Sequence, residues 1–250
     1  MERTDQTGFG NIVVIQDGRT GYGVDAVLLA AFAAGETGAP AAVKGSRVAD
    51  LGTGSGIVAF TLHNKTGGAR ITGFDVQPSA VDRAERACEM NGLTEDIDFI
   101  CSDVNDLPDA YPGFQSDFDS VVSNPPYFRR TPDEPGAADP DSRYIARHET
   151  SAGIEDFARC ASYLLRASGS LYMVHRLDRL PDIICVMRSC GIEPKTMQLV
   201  APQKGKAANI VLIHGIKGAR PELRMLPGLA VHTEDGGYTD ELLKLYGREP

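Results

Sequence analysis

No stretch of this chain is apolar for long. The longest uninterrupted run, Ala26 to Ala34, is nine residues, far short of the roughly 20 that a membrane-spanning helix needs. Glycine and proline, 27 and 15 among 250 residues, are too sparse and irregular for a fibrous repeat. No internal repeat, coiled-coil heptad or low-complexity tract interrupts the chain. The five cysteines (Cys88, Cys101, Cys160, Cys185, Cys190) form no Cys-x-x-Cys pair and leave one unmatched in any disulfide scheme. Reduced thiols in a cytoplasmic protein are the plainer reading. The five histidines, at 63, 148, 175, 214 and 232, lack the spacing of metal ligands. The opening Met1-Glu2-Arg3-Thr4-Asp5-Gln6 carries charges of both signs and does not read as a signal peptide.

What is present is an ordinary folding composition, 42% apolar and 24% charged, with length for one large domain. The net charge of −9 argues against a uniformly basic nucleic-acid binder, but the charge is unevenly spread. Residues 1–128 hold 8 Lys and Arg against 18 Asp and Glu, whereas residues 142–225 hold 13 against 7. An acidic first half and a locally basic second half suit a chain with two tasks, although chance scatter on a solvated surface gives the same count.

From residue 47 to 216 the pattern alternates between strand and helix. Strands are expected at 47–51, 70–75, 97–101, 118–123 and 170–175, with helices at 56–66, 78–91, 153–167 and 178–190. Pro78 opens the second helix and Gly92 stops it. Such alternation predicts an α/β, Rossmann-like fold, a mostly parallel sheet covered on both faces. The last two strands, 192–200 and 208–216, are separated only by a short turn, so they must pair antiparallel. Seven strands result, ending in an antiparallel hairpin. One domain over 1–250 is expected: a strand–helix extension over 1–44, a catalytic core over 45–216, and a tail over 217–250. The tail shows little periodicity until a short helix near 239–246. Residues 131–142, with three prolines and no large apolar side chain, read as a mobile loop.

The chemistry concentrates after two strands. Val48-Ala49-Asp50-Leu51-Gly52-Thr53-Gly54-Ser55-Gly56 follows the first strand and opens a helix. Its glycines allow a tight turn and close backbone approach to a ligand, beside the free N–H groups of a helix N-terminus. Asp75 ends the next strand, where a carboxylate accepts hydrogen bonds from ribose hydroxyls. Together these suggest an adenosine-containing cofactor. The Gly-x-Gly-x-Gly spacing differs from the nicotinamide pattern, and Asp50 suits a cationic ligand such as S-adenosyl-L-methionine better than a pyrophosphate. Asp103, after the third strand, is placed either for the adenine amino group or as a helix cap. Val76 and Val104, next to the two acids, complete the candidate cofactor set with Asn124.

The second motif, Ser123-Asn124-Pro125-Pro126-Tyr127-Phe128, follows the fourth strand and so faces the same crevice. Two prolines fix the backbone and remove two N–H groups, leaving carbonyl acceptors. Asn124 adds a side-chain carbonyl and Tyr127 a flat face. Such a set can hold a planar NH2 group by both hydrogens while its ring stacks. A rigid turn with a core aromatic is the alternative for this tetrapeptide alone.

Residues 47–127 resemble the class I S-adenosylmethionine-dependent methyltransferases, and Asn124-Pro125-Pro126-Tyr127 is similar to the signature of those that methylate planar amino nitrogens. Nearly the whole chain resembles the bacterial tRNA1(Val) adenine-N6 methyltransferase family. That wider resemblance rests on Gly23-Val24-Asp25-Ala26-Val27-Leu28-Leu29-Ala30-Ala31-Phe32-Ala33, Ala146-Arg147-His148-Glu149 and Ile192-Glu193-Pro194-Lys195. It continues in Asn209-Ile210-Val211-Leu212-Ile213, Lys217-Gly218, Tyr238-Thr239-Asp240-Glu241 and Tyr246-Gly247. The resemblance implies direct methyl transfer to an adenine N6 beside a tRNA anticodon, without a metal or covalent intermediate. Catalytic roles then fall to Asn124, Pro125, Pro126 and Tyr127. An adenine in a tRNA loop must be presented unstacked. Arg129, Arg130, Arg143, Arg147 and His148 are candidates to hold phosphates around it, or are simply a solvated face. Two rival functions are a protein glutamine methyltransferase, whose amide presents the same planar NH2, and a non-catalytic RNA- or adenosine-binding module. The first usually carries a larger helical N-terminal domain, and the second has no need of both motifs.

Overall fold

The computed structural model describes residues 2–7, 10–17, 23–126 and 152–248. Thus Tyr127, Arg129, Arg130, Arg143, Arg147, His148 and the loop expected at 131–142 lie outside the described residues. The central sheet is built from β3 (Arg47–Leu51), β4 (Arg70–Asp75), β5 (Ile97–Cys101), β6 (Phe118–Ser123), β7 (Leu165–Arg176), β8 (Ile192–Gln203) and β9 (Ile210–Lys217). Its spatial order is β8-β9-β7-β6-β3-β4-β5, with β9 antiparallel to both neighbours and the remaining pairs parallel.

The parallel interior follows from residues that are apolar on both faces of a strand. Leu171, Tyr172, Met173 and Val174 of β7 are all buried, and they alternate between two separate cores. Tyr172 and Val174 face α1 (Val24–Ala33), α2 (Ile57–Thr66) and α3 (Pro78–Asn91). Leu171 and Met173 face α5 (Ile154–Leu164) and α6 (Leu180–Ser189), the helices that follow the four-residue α4 (Leu107–Ala110). The nine-residue apolar run is explained by α1, whose residues Ala26 to Ala33 are all buried. That helix packs against α2 and β7, so it is apolar all round because it is enclosed. No helix among the described residues is long and apolar enough to cross a membrane.

Three expectations are corrected. Among the described residues the sheet has nine strands rather than seven, because the tail returns as β10 (Arg224–Met225) and β11 (Leu229–His232), both parallel to β8. These segments are too short to show periodicity, and pairing with an open edge, not local pattern, defines them. The tail's helix is α7 (Asp240–Leu245), capped by Thr239 Oγ1, which accepts from the Leu242 N–H. Secondly, the helix expected to 167 stops at Leu164 and the chain enters β7 directly. Gly169 lies against the Arg166 and Asp119 carbonyls, where a Cβ would sit 2.9 and 3.1 Å away. Thirdly, the helix expected from 178 is split into a 3-10 turn, Leu177–Arg179, and α6, with Pro181 in the first turn of α6.

The N-terminal extension forms a hairpin of β1 (Arg3–Gln6) and β2 (Val13–Gln16) docked on α3. Asn91 locks it: its Nδ2 donates to the Val13 carbonyl (2.7 Å) and its Oδ1 accepts from the Val13 N–H (2.9 Å). Arg86 adds a bidentate pair with Glu2 at 2.8–3.0 Å.

Candidate active site

The carboxyl ends of β3, β4, β5 and β6 lie on one edge of the sheet, and the loops that leave them enclose a cleft. Backbone bonds fix the glycine loop: the Gly52 and Thr53 N–H groups both donate to the Phe74 carbonyl, at 2.9 and 3.0 Å. Ser123 Oγ donates to the Leu51 carbonyl (2.9 Å), tying the Asn-Pro-Pro loop to the glycine loop across two strands.

The cleft has two chambers. The main one, of about 270 Å³, is lined by Gly52, Gly54, Phe74, Asp75, Val76, Gln77, Ser102, Asp103, Val104, Asn124, Pro126, Ala152 and Phe157. The second, of about 260 Å³, lies between the glycine loop, β2, and the starts of α1 and α3. Gly52, Gly54, Gln77 and Asn124 border both chambers. Together they fall within the roughly 300–1,000 Å³ usual for small-molecule sites.

Asp75 is 8% exposed and turns both oxygens to backbone. Oδ2 accepts from the Gly54 N–H (2.8 Å) and Oδ1 from the Gln77 N–H (2.9 Å). Burial pushes its pKa up, against those backbone donors and the Arg83 charge, which pull it down. Each oxygen has a further lone pair, so the carboxylate can still accept from a diol in the main chamber. Asp103 also borders that chamber. It is no helix cap, since α4 begins after Asp106; instead its Oδ1 accepts from the Asn105 N–H (2.9 Å) and side-chain amide (3.1 Å).

Asp50 and Gly56 are corrected in role. Asp50 is 1% exposed and borders neither chamber. Its Oδ2 accepts from Thr53 Oγ1 at 2.7 Å, and burial, with Asp75 nearby, raises its pKa to about 7. It braces the glycine loop from beneath. Gly56 is the N-cap of α2 at φ +80°, and a Cβ there would stand 2.8 Å from Phe60 and 2.9 Å from Phe99. Gly56→Ala should therefore destabilise the fold by about 1–3 kcal/mol through backbone strain and overpacking. Chemical denaturation checks this, with an unchanged midpoint as the contrary result.

Of the proposed catalytic residues, Asn124 and the exposed Pro126 border the main chamber, and Pro125 is buried between them. Local pattern did not single out Gln77, Ser102, Ala152 and Phe157 in the main chamber, or Gln16 and Arg83 in the second. Phe157 lies against the glycine loop, 3.3 Å from where a Gly52 Cβ would stand. Apolar walls (Phe74, Val76, Val104, Phe157) together with the carboxylates of Asp75 and Asp103 fit a flat purine joined to a ribose, so the residues present suit an adenosine group. Among the described residues no cluster of three His, Cys, Asp or Glu is placed to hold a metal ion.

Comparison with known proteins agrees with this geometry. The model of a methyltransferase domain family matches residues 42–206. A tRNA1(Val) (adenine(37)-N6)-methyltransferase of Aeromonas salmonicida is 30% identical over 234 residues, covering 89% of this chain and 87% of the relative. Its namesake in Porphyromonas gingivalis is 33% identical over 162 residues, and there the match spans 60% of the relative's length. Among solved structures, a predicted O-methyltransferase from Agrobacterium tumefaciens superposes with a TM-score of 0.69 at 23% identity, over 90% of this chain and 98% of the other. TrmN from Thermus thermophilus gives 0.52 at 22% identity, over 77% of this chain and 48% of the other; at such identities the likeness is one of fold. With the Rossmann-like sheet, the glycine loop and the matched 42–206 core in agreement, the chain belongs to the class I methyltransferases, in the family of the tRNA1(Val) adenine-N6 enzymes.

Proposed function

We propose that this chain transfers the methyl group of S-adenosyl-L-methionine to the exocyclic N6 amino group of an adenine in tRNA, beside the anticodon. The observation that carries the reading is the position of Asn124, on the wall shared by both chambers and next to the Asp75 carboxylate's cavity. When bound, the donor supplies an electrophilic sulfonium methyl; everything else is the work of this chain. Asp75 takes the ribose hydroxyls, Val76 and Val104 pack on the adenine ring, and Asp103 takes its amino group. The aromatic amine of the acceptor is a poor nucleophile, because its lone pair is delocalised into the ring. Accepting both N–H hydrogens, at the Asn124 side chain and the Pro125 carbonyl, turns that lone pair toward the methyl group. Tyr127 would stack on the base and hold it for in-line attack. The N–CH3 bond would form as the S–CH3 bond breaks, leaving S-adenosylhomocysteine, and the nitrogen would release one proton to solvent. A tRNA substrate and five free cysteines suit the cytoplasm.

Labelled S-adenosylmethionine, incubated separately with total tRNA, ribosomal RNA and a protein extract, tests the reading. Label in an N6-methyladenine of tRNA is the expected result. Label in a glutamine side chain would replace it with the rival protein-directed activity.

Arg129 and Arg130, which follow the Ser123–Phe128 motif, are proposed as phosphate contacts. Replacing both with Ala should lower the log–log salt slope of tRNA binding by about one to two units, at roughly 0.7–0.9 per contact. Arg70 begins β4 and Arg166 is the second residue of β7, both at the opposite edge of the sheet, so their double Ala variant is the control. Filter binding across a salt series would count against a docking face if both variants lost the same slope.

A further inference from the structure

Gln16, the last residue of β2, is 3% exposed, and among the described residues neither its Nε2 nor its Oε1 has a hydrogen-bond partner. A buried carboxamide with both ends unmet is costly, and such groups mark strain or a ligand. It borders the second chamber, which also holds the Asp17 carboxylate, opposite in sign to an ammonium, beside two features suited to an anion. Arg83 of α3 brings a guanidinium. Gly23, the N-cap of the ten-residue α1, leaves that helix end without a side-chain cap. An arginine and an uncapped helix N-terminus both favour a carboxylate. The Gln16 amide supplies a donor for a carboxylate and an acceptor for an ammonium.

We propose that Gln16 is a positioning residue for the amino-acid end of the methyl donor, with Arg83 beside it, so that the N-terminal hairpin completes the donor site. The inference rests on the methyl-donor reading above. With adenosine in the main chamber, the remaining piece of S-adenosylmethionine is an α-amino acid, and the second chamber opens where Gly52, Gly54, Gln77 and Asn124 border both. The hairpin presents Gln16 in a set position, because Asn91 clamps Val13 and Arg86 grips Glu2. Little ordering is then required when the donor enters.

The test truncates the ligand as well as the protein. S-adenosylhomocysteine carries the amino-acid end; 5′-methylthioadenosine lacks it. By calorimetry, Gln16→Met should weaken S-adenosylhomocysteine by about 10- to 100-fold, while methylthioadenosine stays within about twofold. Gln16→Glu, which keeps a polar side chain but repels a carboxylate, should show the same split. Because Met removes an unsatisfied buried amide, the ligand-free Gln16→Met protein should melt no lower than the wild type. Equal weakening of both ligands, a lowered melting temperature with loss of both, or no weakening of either would each overturn the proposal. No RNA enters these measurements, so a protein substrate for the enzyme would leave their outcome untouched. Failure of the wild type to bind S-adenosylhomocysteine would overturn both the donor site and this role for Gln16.

Discussion

Asn124→Ala should retain S-adenosylhomocysteine affinity within about threefold and lose about 10²–10³-fold in kcat, the scale seen when one preorganised partner of the reacting group is removed. The asymmetry has a geometric source. On the donor side the cavity is held by many groups besides Asn124, among them Asp75, Gln77, Asp103 and Phe157. On the acceptor side the proposed contacts to the amino group are two, and the side-chain carbonyl is one of them. An interaction made mainly as the nitrogen turns toward the methyl group lowers the barrier without changing ground-state affinity. Single-turnover methylation of tRNA at saturating donor, beside calorimetry of the ligand, separates the two quantities. Turnover near that of the wild type would remove Asn124 from the chemistry. A parallel loss of affinity and rate would make it a wall of the donor site only.

Asp75→Ala should act on the other half of the cleft and weaken S-adenosylhomocysteine by about 1.5–3 kcal/mol, the usual worth of a hydrogen bond to a charged group. This is roughly 10- to 150-fold in Kd. Two losses combine. The ribose contact disappears, and the Gly54 and Gln77 N–H groups lose the carboxylate that holds them at 2.8 and 2.9 Å. Asp75→Asn separates these contributions, since it keeps the shape but can accept through only one atom. An affinity for Asp75→Asn midway between wild type and Asp75→Ala is the expected order. Unchanged affinity in both variants would place the ribose elsewhere and remove the acid from the site. Asp50→Asn, by contrast, should change affinity little, because the Asp50 side chain meets Thr53 and not the chambers.

Much of this cleft was legible without coordinates because its determinants are local. Strand–glycine loop–helix is a short-range pattern, and a residue at the end of a parallel strand faces the carboxyl-edge crevice whatever the rest of the chain does. Hence Gly52, Gly54, Asp75, Val76, Asp103, Val104, Asn124 and Pro126, each within three residues of a strand end, all border the main chamber. The antiparallel pairing of β8 with β9 was equally local, since a turn of a few residues allows no other pairing.

Side-chain direction and long-range pairing were not legible in the same way. Asp50 occupies a strand position where one residue's difference in register decides whether a carboxylate meets the cleft or the core, and the packing turned it inward onto Thr53. The tail's β10 and β11 exist because β8 leaves an edge to pair with, at Thr196–Met197 and Val200–Gln203, a hydrogen-bonding opportunity distant in the chain. Gln16 and Arg83 stand 67 residues apart by number, and only the docking of the β1–β2 hairpin on α3 brings them to one chamber. The sequence by itself thus determined the fold class and the loops that line the cleft, through turn residues and strand ends. Tertiary packing decided which acid faces the cleft and how the N-terminal hairpin comes to line its second chamber, because both depend on contacts that no local pattern encodes.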